Sequence, residues 1–252
     1  MLYQRLIPSI LLVNDRLVKG VSYSDYRDAG NPRTTARAHN HQGADELLVM
    51  DIKASKENRG PSLNTIQDIA EECFMPLCVG GGIRDIDDAI ACMDVGADKL
   101  CLTSKAIDNP DLISILAHRF GSQAVVAGID IKYDNKAIPR IYDHRYSNFF
   151  YDSDPFLWAS RLVEMGCGEI RLMSVDREGT LKGYNFEIYK KMRDLINVPI
   201  ILEGGAGSLE HLEEAFKAGV DGVAVGAMLV FSDSNLVKIK QHMITRKCNI
   251  RG

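Results

Sequence analysis

A chain of 252 residues with 46% hydrophobic and 25% charged residues has the make-up of an ordinary globular protein. The length suits a single α/β barrel as well as two small domains. A formal net charge of −4 gives no electrostatic case for nucleic acid, and no apolar stretch approaches the roughly 20 residues that cross a bilayer.

The amino terminus, "MLYQRLIPSILLVNDR", lacks a signal peptide's order of basic, apolar and small-residue segments and reads as a first strand, Leu6–Val13. An alternation of longer amphipathic segments and short apolar runs follows. Helix Pro32–His41 precedes strand Glu46–Asp51, and helix Leu63–Cys73 precedes strand Pro76–Val79. Helix Ile86–Asp94, strand Lys99–Leu102, helix Asp111–Phe120 and strand Ala124–Ile131 continue it. The remainder reads as helix Phe156–Met165, strand Glu169–Val175, helix Phe186–Leu195, strand Pro199–Leu202, helix Leu209–Ala218, strand Gly222–Val225 and helix Asn235–Thr245. Pro32, Pro110 and Pro155 sit where a first helical turn begins, Ser208 can cap the helix after it, and Gly43, Gly96, Gly166 and Gly219 mark helix ends. Eight strand–helix pairs predict one domain over residues 1–252: a single (βα)8 TIM barrel.

The six cysteines, Cys73, Cys78, Cys92, Cys101, Cys167 and Cys248, form no C-x-x-C pair and have no His at zinc-finger spacing. They read as reduced, mostly buried small hydrophobes, with no disulfide and no metal.

An internal repeat is visible. "PLCVGGGIRDIDDAIACMDVGADKL" from Pro76 aligns without a gap on "PIILEGGAGSLEHLEEAFKAGVDGV" from Pro199, an offset of 199 − 76 = 123 residues. The same offset pairs Glu46 with Glu169, and a nearby one, 130 − 11 = 119, pairs Leu11 with Asp130. The barrel is therefore predicted to consist of two half-barrels, about 1–122 and 123–252. Its active face should lie at the carboxyl ends of the strands. Two glycine-rich turns fall there, with Gly81 and Gly82 in one and Gly204 and Gly205 in the other. Glycine lets the backbone approach an anion, and each following helix offers free N–H groups. After the next strands, Thr103 and Ser104 can donate hydroxyls, whereas Gly226 and Ala227 offer only backbone. Such a pair of sites suits a ligand with a phosphate at each end.

The motifs "RDAGNP", "GADELLVMDI", "VGGGIRD", "GEIRLMSVDREGT" and "EGGAGSLEH", in this order over nearly the whole chain, resemble the cyclase subunit of imidazole glycerol phosphate synthase, the HisF family. The resemblance implies a cytoplasmic barrel, without cofactor or metal, that pairs with a HisH-like glutaminase and takes up ammonia through its core. It implies conversion of a phosphoribulosyl-formimino aminoimidazole carboxamide ribotide, phosphorylated at both ends, into imidazole glycerol phosphate and an aminoimidazole carboxamide ribotide. By position, Arg5, Glu46, Lys99 and Glu169 match the charged ring at the ammonia entrance; the less favoured alternative is a salt-bridged plug that only seals the barrel. Lys19, Asp51 and Asp176 match substrate-proximal positions. Gly81, Gly82, Thr103 and Ser104 fall on one phosphate site, and Gly179, Gly204, Gly205, Gly226 and Ala227 on the other.

The departures concern chemistry. Asp130 matches one of two facing catalytic aspartates, but Leu11 occupies the position of its partner. Two carboxylates can share proton removal and proton delivery, worth about 10²–10⁴-fold in rate; leucine can do neither. Thr103 replaces an asparagine, Glu178 an aspartate and Ala227 a phosphate-binding serine. Two readings stay open: a cyclase in which Asp130 works with a substitute acid, and a conduit handing ammonia to an amidotransferase that builds acetamidino groups on bacterial surface sugars. Asp15 reads as a solvated turn residue rather than that substitute. "YDHRYSNFFYD", from Tyr142 to Asp152, reads either as a lid over the mouth or as an interface.

Overall fold

The computed structural model describes residues 3–150 and 154–251. Eight parallel strands close into a barrel: β1 (Arg5–Val13), β4 (Leu47–Asp51), β5 (Leu77–Gly80), β6 (Lys99–Leu102), β7 (Val125–Tyr133), β10 (Glu169–Ser174), β11 (Ile200–Glu203) and β12 (Gly222–Val225). Closure comes from the pairing of β1 with β12, Arg5 beside Gly222 through Pro8 beside Val225. Outside lie α1 (Pro32–His41), α2 (Leu63–Ala70), α3 (Ile86–Asp94), α4 (Ser104–Asp108), α5 (Asp111–Phe120), α6 (Pro155–Glu164), α7 (Phe186–Arg193), α8 (Leu209–Lys217), α9 (Ala227–Phe231) and α10 (Leu236–Thr245). Helix starts follow local chemistry. The side chains of Asn31, Asp85, Asp154, Asn185, Ser208 and Asn235 each accept a hydrogen bond from an N–H of the first turn they cap. Pro110, expected inside a first turn, is itself the residue preceding α5.

Strand alternation sorts the core into two shells. Leu6, Ile10 and Leu12 of β1, Leu47 and Val49 of β4 and Val79 of β5 face outward against the helices, in the large annular core. Ile7, Leu48, Cys78, Cys101, Val126, Ile201 and Ala224 point inward and fill the barrel itself. All six cysteines are free thiols.

Both half-barrels carry an excursion that was not legible as regular structure. After β1 the chain makes a hairpin of β2 (Arg16–Val21) and β3 (Ser24–Gly30), and after β7 one of β8 (Pro139–Asp143) and β9 (Asn148–Phe150). The turns are tight: Asn14 and Asp15, then Ser22 and Tyr23, all have positive φ, as two-residue type I′ connections require.

The repeat is structural as well as sequential. From α2 to α4 every element boundary recurs 123 residues later, as α3 from Ile86 and α8 from Leu209 do (209 − 86 = 123). Strand register explains the smaller offset of the first strands. Leu11 sits beside Met50 on β4, and Asp130 beside Met173 on β10, where 173 − 50 = 123. On the other flank, Pro8 pairs with Val225 and Ala127 with Leu102, and 225 − 102 = 123. Leu11 and Asp130 are thus equivalent, and the second half simply inserts four more residues after its first strand.

The barrel's floor is stitched by Gln4, which is buried and donates from Nε2 to the carbonyls of Phe216 and Val220 at 2.8 Å each. Gln4→Ala should strand two carbonyls and lower unfolding free energy by about 1–3 kcal/mol, measured by urea titration; an unchanged midpoint would show that water replaces the amide at no cost.

Candidate active site

At the amino-terminal end of the barrel, four charges meet. Arg5, Lys99 and Glu169 open their strands and Glu46 immediately precedes β4, so all four point into the bore. Arg5 Nη1 donates to Glu46 Oε2 at 2.6 Å, and its other nitrogen pairs with Glu169. Lys99 Nζ lies 2.7 Å from Glu46 and 2.9 Å from Glu169. Cations and anions therefore alternate. Burial works against the Arg5 charge, but hydrogen bonding and attraction from Glu169 and Glu46 outweigh it and hold its pKa above the ordinary guanidinium value. Such a ring is self-neutralising and opens onto the apolar inner shell.

The opposite end holds a cavity of about 180 Å³, walled by Leu11 and Asp130 together with Tyr23, Met50, Tyr142 and Arg171. Strands β1 and β7 are four apart in the ring of eight, so Leu11 and Asp130 face this space from opposite sides. Asp130 is not alone. The Nη1 of Arg171, a fully interior guanidinium, is 3.3 Å from its Oδ1, and the Nε of Arg171 is 2.5 Å from Glu203 Oε2. Glu203 Oε1 in turn accepts from Ser9 Oγ at 2.9 Å. Burial raises the Asp130 pKa above the usual carboxylate range, against the opposing pull of Arg171, His144 and a hydrogen bond from Tyr23. A carboxyl so placed can take up or release a proton closer to neutrality than an exposed one.

Gly81, Gly82, Thr103 and Ser104 wall the same cavity, with Lys53, Lys56 and Lys105 at its rim. Gly81 has φ +90° and its missing side chain leaves room for the Asp51 carbonyl, so only glycine fits. A second, smaller pocket of about 30 Å³ is bounded by Gly179, Gly204, Gly205, Gly226 and Ala227 with Leu11, Lys19, Glu178 and Glu203. The structure therefore gathers these residues around two neighbouring cavities that share Leu11 and Met173.

Several expected residues take other positions. Asp176 enters neither cavity; its Oδ2 accepts from the backbone N–H of Tyr133 at 2.8 Å and it is exposed. It lies in the short helical turn Val175–Arg177 that follows β10. Asp51 borders the large cavity, but its carboxylate is engaged by Arg59 at 2.6 and 3.0 Å and by the N–H groups of Lys53 and Ala54, so it shapes the following loop. Asp15 accepts from the hydroxyls of Ser62 and Thr65, which ties the β1–β2 turn to the start of α2. Of the segment from Tyr142 to Asp152, residues through Phe150 form the end of β8, a turn and β9, with Tyr142 and His144 on the cavity wall; Tyr151 and Asp152 lie outside the described residues.

Sequence reading missed Arg171, Glu203 and Tyr23. For Arg171 the signal was present: a lone cation at an inward position of an otherwise apolar strand, two residues after Glu169. Glu203 stands where the other half has Gly80 (203 − 80 = 123), which the repeat could have exposed. Tyr23 enters only because a tight turn throws it over the mouth.

Lys19 is buried, with Nζ 2.5 Å from the Ser9 carbonyl, and burial brings its pKa down to about 8 although Glu203 and Glu178 favour the charged form. Below that value Lys19 is charged in both folded and unfolded chains; between about 8 and 10.5 the folded chain loses the proton first. Stability of the wild type relative to Lys19→Met should therefore rise with pH across that window, by up to about 3 kcal/mol. Denaturant titrations at pH 7, 8.5 and 10 would show it; a constant difference would mean that Lys19 is solvated.

Comparison with known proteins follows the same line. The family described as histidine biosynthesis protein matches residues 5–235. The imidazole glycerol phosphate synthase subunit HisF of Alkaliphilus metalliredigens is 40% identical over 250 residues, covering 96% of each chain. That of Exiguobacterium sibiricum is 37% identical over 251 residues, covering 100% of each. A closed (βα)8 barrel, a duplicated mouth and this full-length similarity agree, and the chain belongs to the histidine biosynthesis protein family.

Proposed function

We propose that this chain is the barrel subunit of a cytoplasmic, glutamine-dependent complex of the imidazole glycerol phosphate synthase type. A glutaminase partner docks at the end ringed by Arg5, Glu46, Lys99 and Glu169, and ammonia travels along the bore to a phosphorylated ligand held at the mouth. The observation that carries this reading is the arrangement of a neutralised charged ring, an apolar inner shell and an acid-bearing mouth along one barrel. Neutral ammonia can cross apolar surroundings that strongly disfavour ammonium, so the inner shell would favour the nucleophilic form.

In the synthase reaction, the barrel joins ammonia to the formimino ribotide and releases imidazole glycerol phosphate and an aminoimidazole carboxamide ribotide. Asp130 is the residue of this chain placed to accept a proton from the entering amine or return one to the departing nitrogen. Its raised pKa suits both tasks. Leu11, equivalent by register, contributes neither.

That pairing of Leu11 with an Asp130 already engaged by Arg171 favours a second reading. Here the barrel passes ammonia on without cyclising, to an amidotransferase of the kind that makes acetamidino sugars of bacterial surface polysaccharides.

The two readings separate in one assay. With ammonium salt in excess at mildly alkaline pH and the ribotide as substrate, the Leu11→Asp variant should form imidazole glycerol phosphate about 10²–10⁴-fold faster than the wild type. Equal, vigorous turnover by both would show that the missing carboxylate is irrelevant. Absence of any association with a glutaminase, measured by co-purification and glutamine hydrolysis, would remove both readings.

A further inference from the structure

With leucine at position 11, Asp130 has no carboxylate opposite it, so any second proton carrier must come from elsewhere in the wall of the large cavity. Tyr23 donates to Asp130, and burial together with that carboxylate holds its pKa well above the ordinary phenol value, so it keeps its proton. Burial pushes the Cys101 thiol up to about 12. Asp51 is bound to Arg59, and Arg171 is tied to two carboxylates. Of the ionisable side chains in this wall, only an imidazole ordinarily titrates near neutrality, and His144 is the one imidazole among them.

Local bonding fixes where His144 stands. It lies in the turn between β8 and β9. On one side of it, the buried Asp143 accepts from the backbone N–H of Arg145 at 3.0 Å and from the Arg145 guanidinium at 2.6 Å. The same guanidinium reaches Asp108 of α4 at 2.9 Å. Both neighbours of His144 are thereby locked to each other and to the helix after β6. Its ring meets that of Tyr23 at a centroid distance of 6.2 Å and an angle of 88°, and Tyr23 in turn donates to Asp130. Burial lowers the His144 pKa, Asp130 and Asp143 oppose the shift, and Arg145 and Arg171 reinforce it. At neutral pH the imidazole is therefore uncharged and free to accept a proton, and Asp130 favours the imidazolium that results.

We propose that His144 is the second proton-transfer group of this mouth and sustains, together with Asp130, the turnover that survives the loss of a carboxylate at Leu11. The proposal rests on the cyclase reading and names the substitute partner that reading requires. As the bond from ammonia nitrogen to the ligand carbon forms, the neutral imidazole takes one proton from that nitrogen. The imidazolium then returns it to the departing nitrogen as the old carbon–nitrogen bond breaks. The proton count closes without a further reactant. A buried imidazole with lowered proton affinity is a weaker base than an unperturbed one, so His144 keeps the reaction slow rather than restoring the rate of a paired carboxylate.

Two replacements, His144→Gln and His144→Asn, test this in the wild type and in Leu11→Asp, with ammonium salt in excess and the ribotide as substrate. In the wild type each should lower kcat about tenfold or more with KM for the ribotide little changed. In Leu11→Asp, where a carboxylate resumes the task, the loss should stay below about threefold. Equal losses in both backgrounds would assign His144 a structural role and overturn the proposal, as would an unchanged wild-type kcat. Turnover by Leu11→Asp with none by the wild type would also overturn it, while leaving the ligand reading intact. No turnover by either would remove the cyclase reading and the proposal with it. If neither replacement folds, the wild type decides alone: at constant free ammonia its rate should fall as the imidazole protonates below about pH 6.5, and a rate unchanged down to about pH 5 would overturn the proposal.

Discussion

A charge placed inside a closed barrel must find its counter-charge there, because the strands leave it little water and no edge. This constraint organises the whole molecule. At the amino-terminal end it is met by alternation, Arg5 and Lys99 against Glu46 and Glu169. Toward the other end it is met by Arg171, whose guanidinium joins Asp130 of β7 to Glu203 of β11. Breaking one member of such a buried set costs far more than the set contributes as a whole. Each network is therefore held together by the penalty of leaving any partner alone.

The same constraint limits what Asp130 can do. A free carboxylate in a cavity is a base waiting for a proton; one held by Arg171 and Tyr23 is also a structural strut. Burial raises its pKa while Arg171 lowers it, and burial prevails. Under the proposed function, the proton traffic of the mouth passes through a residue that also maintains the position of Arg171, and through Arg171 that of Glu203. Activity and barrel integrity are coupled at this point.

Duplication gives the molecule an internal control. Five consecutive pairs of elements, from α2 with α7 to α4 with α9, share boundaries after a constant shift, so the backbone of the two halves answers to one pattern. The side chains at the mouth do not. Gly80 against Glu203, Ser104 against Ala227 and Leu11 against Asp130 give the halves opposite electrostatic character on a common scaffold. Glycines that hold the turns in shape, such as Gly81 and Gly205, are kept in both, because the Asp51 and Gly183 carbonyls occupy the space a side chain would need.

Much of this was legible in the chain itself. Periodicity, caps and the repeat determined the strand–helix order, the closed barrel and the matching glycine turns of its two halves, since each is a local pattern repeated at fixed spacing. The pairing of Leu11 with Asp130 followed from the offset, and strand register agrees with it. The two hairpins were hidden because β3 is largely polar and exposed and β9 spans only three residues, so neither shows the sustained apolar alternation that announces a strand. Only the tertiary structure decided that Asp176 accepts from the Tyr133 N–H, that Asp51 is bound to Arg59, and that Arg171 spans Asp130 and Glu203. Those outcomes depend on which side chains meet across the bore, and residues 41 and 32 positions apart become neighbours only once the barrel has closed.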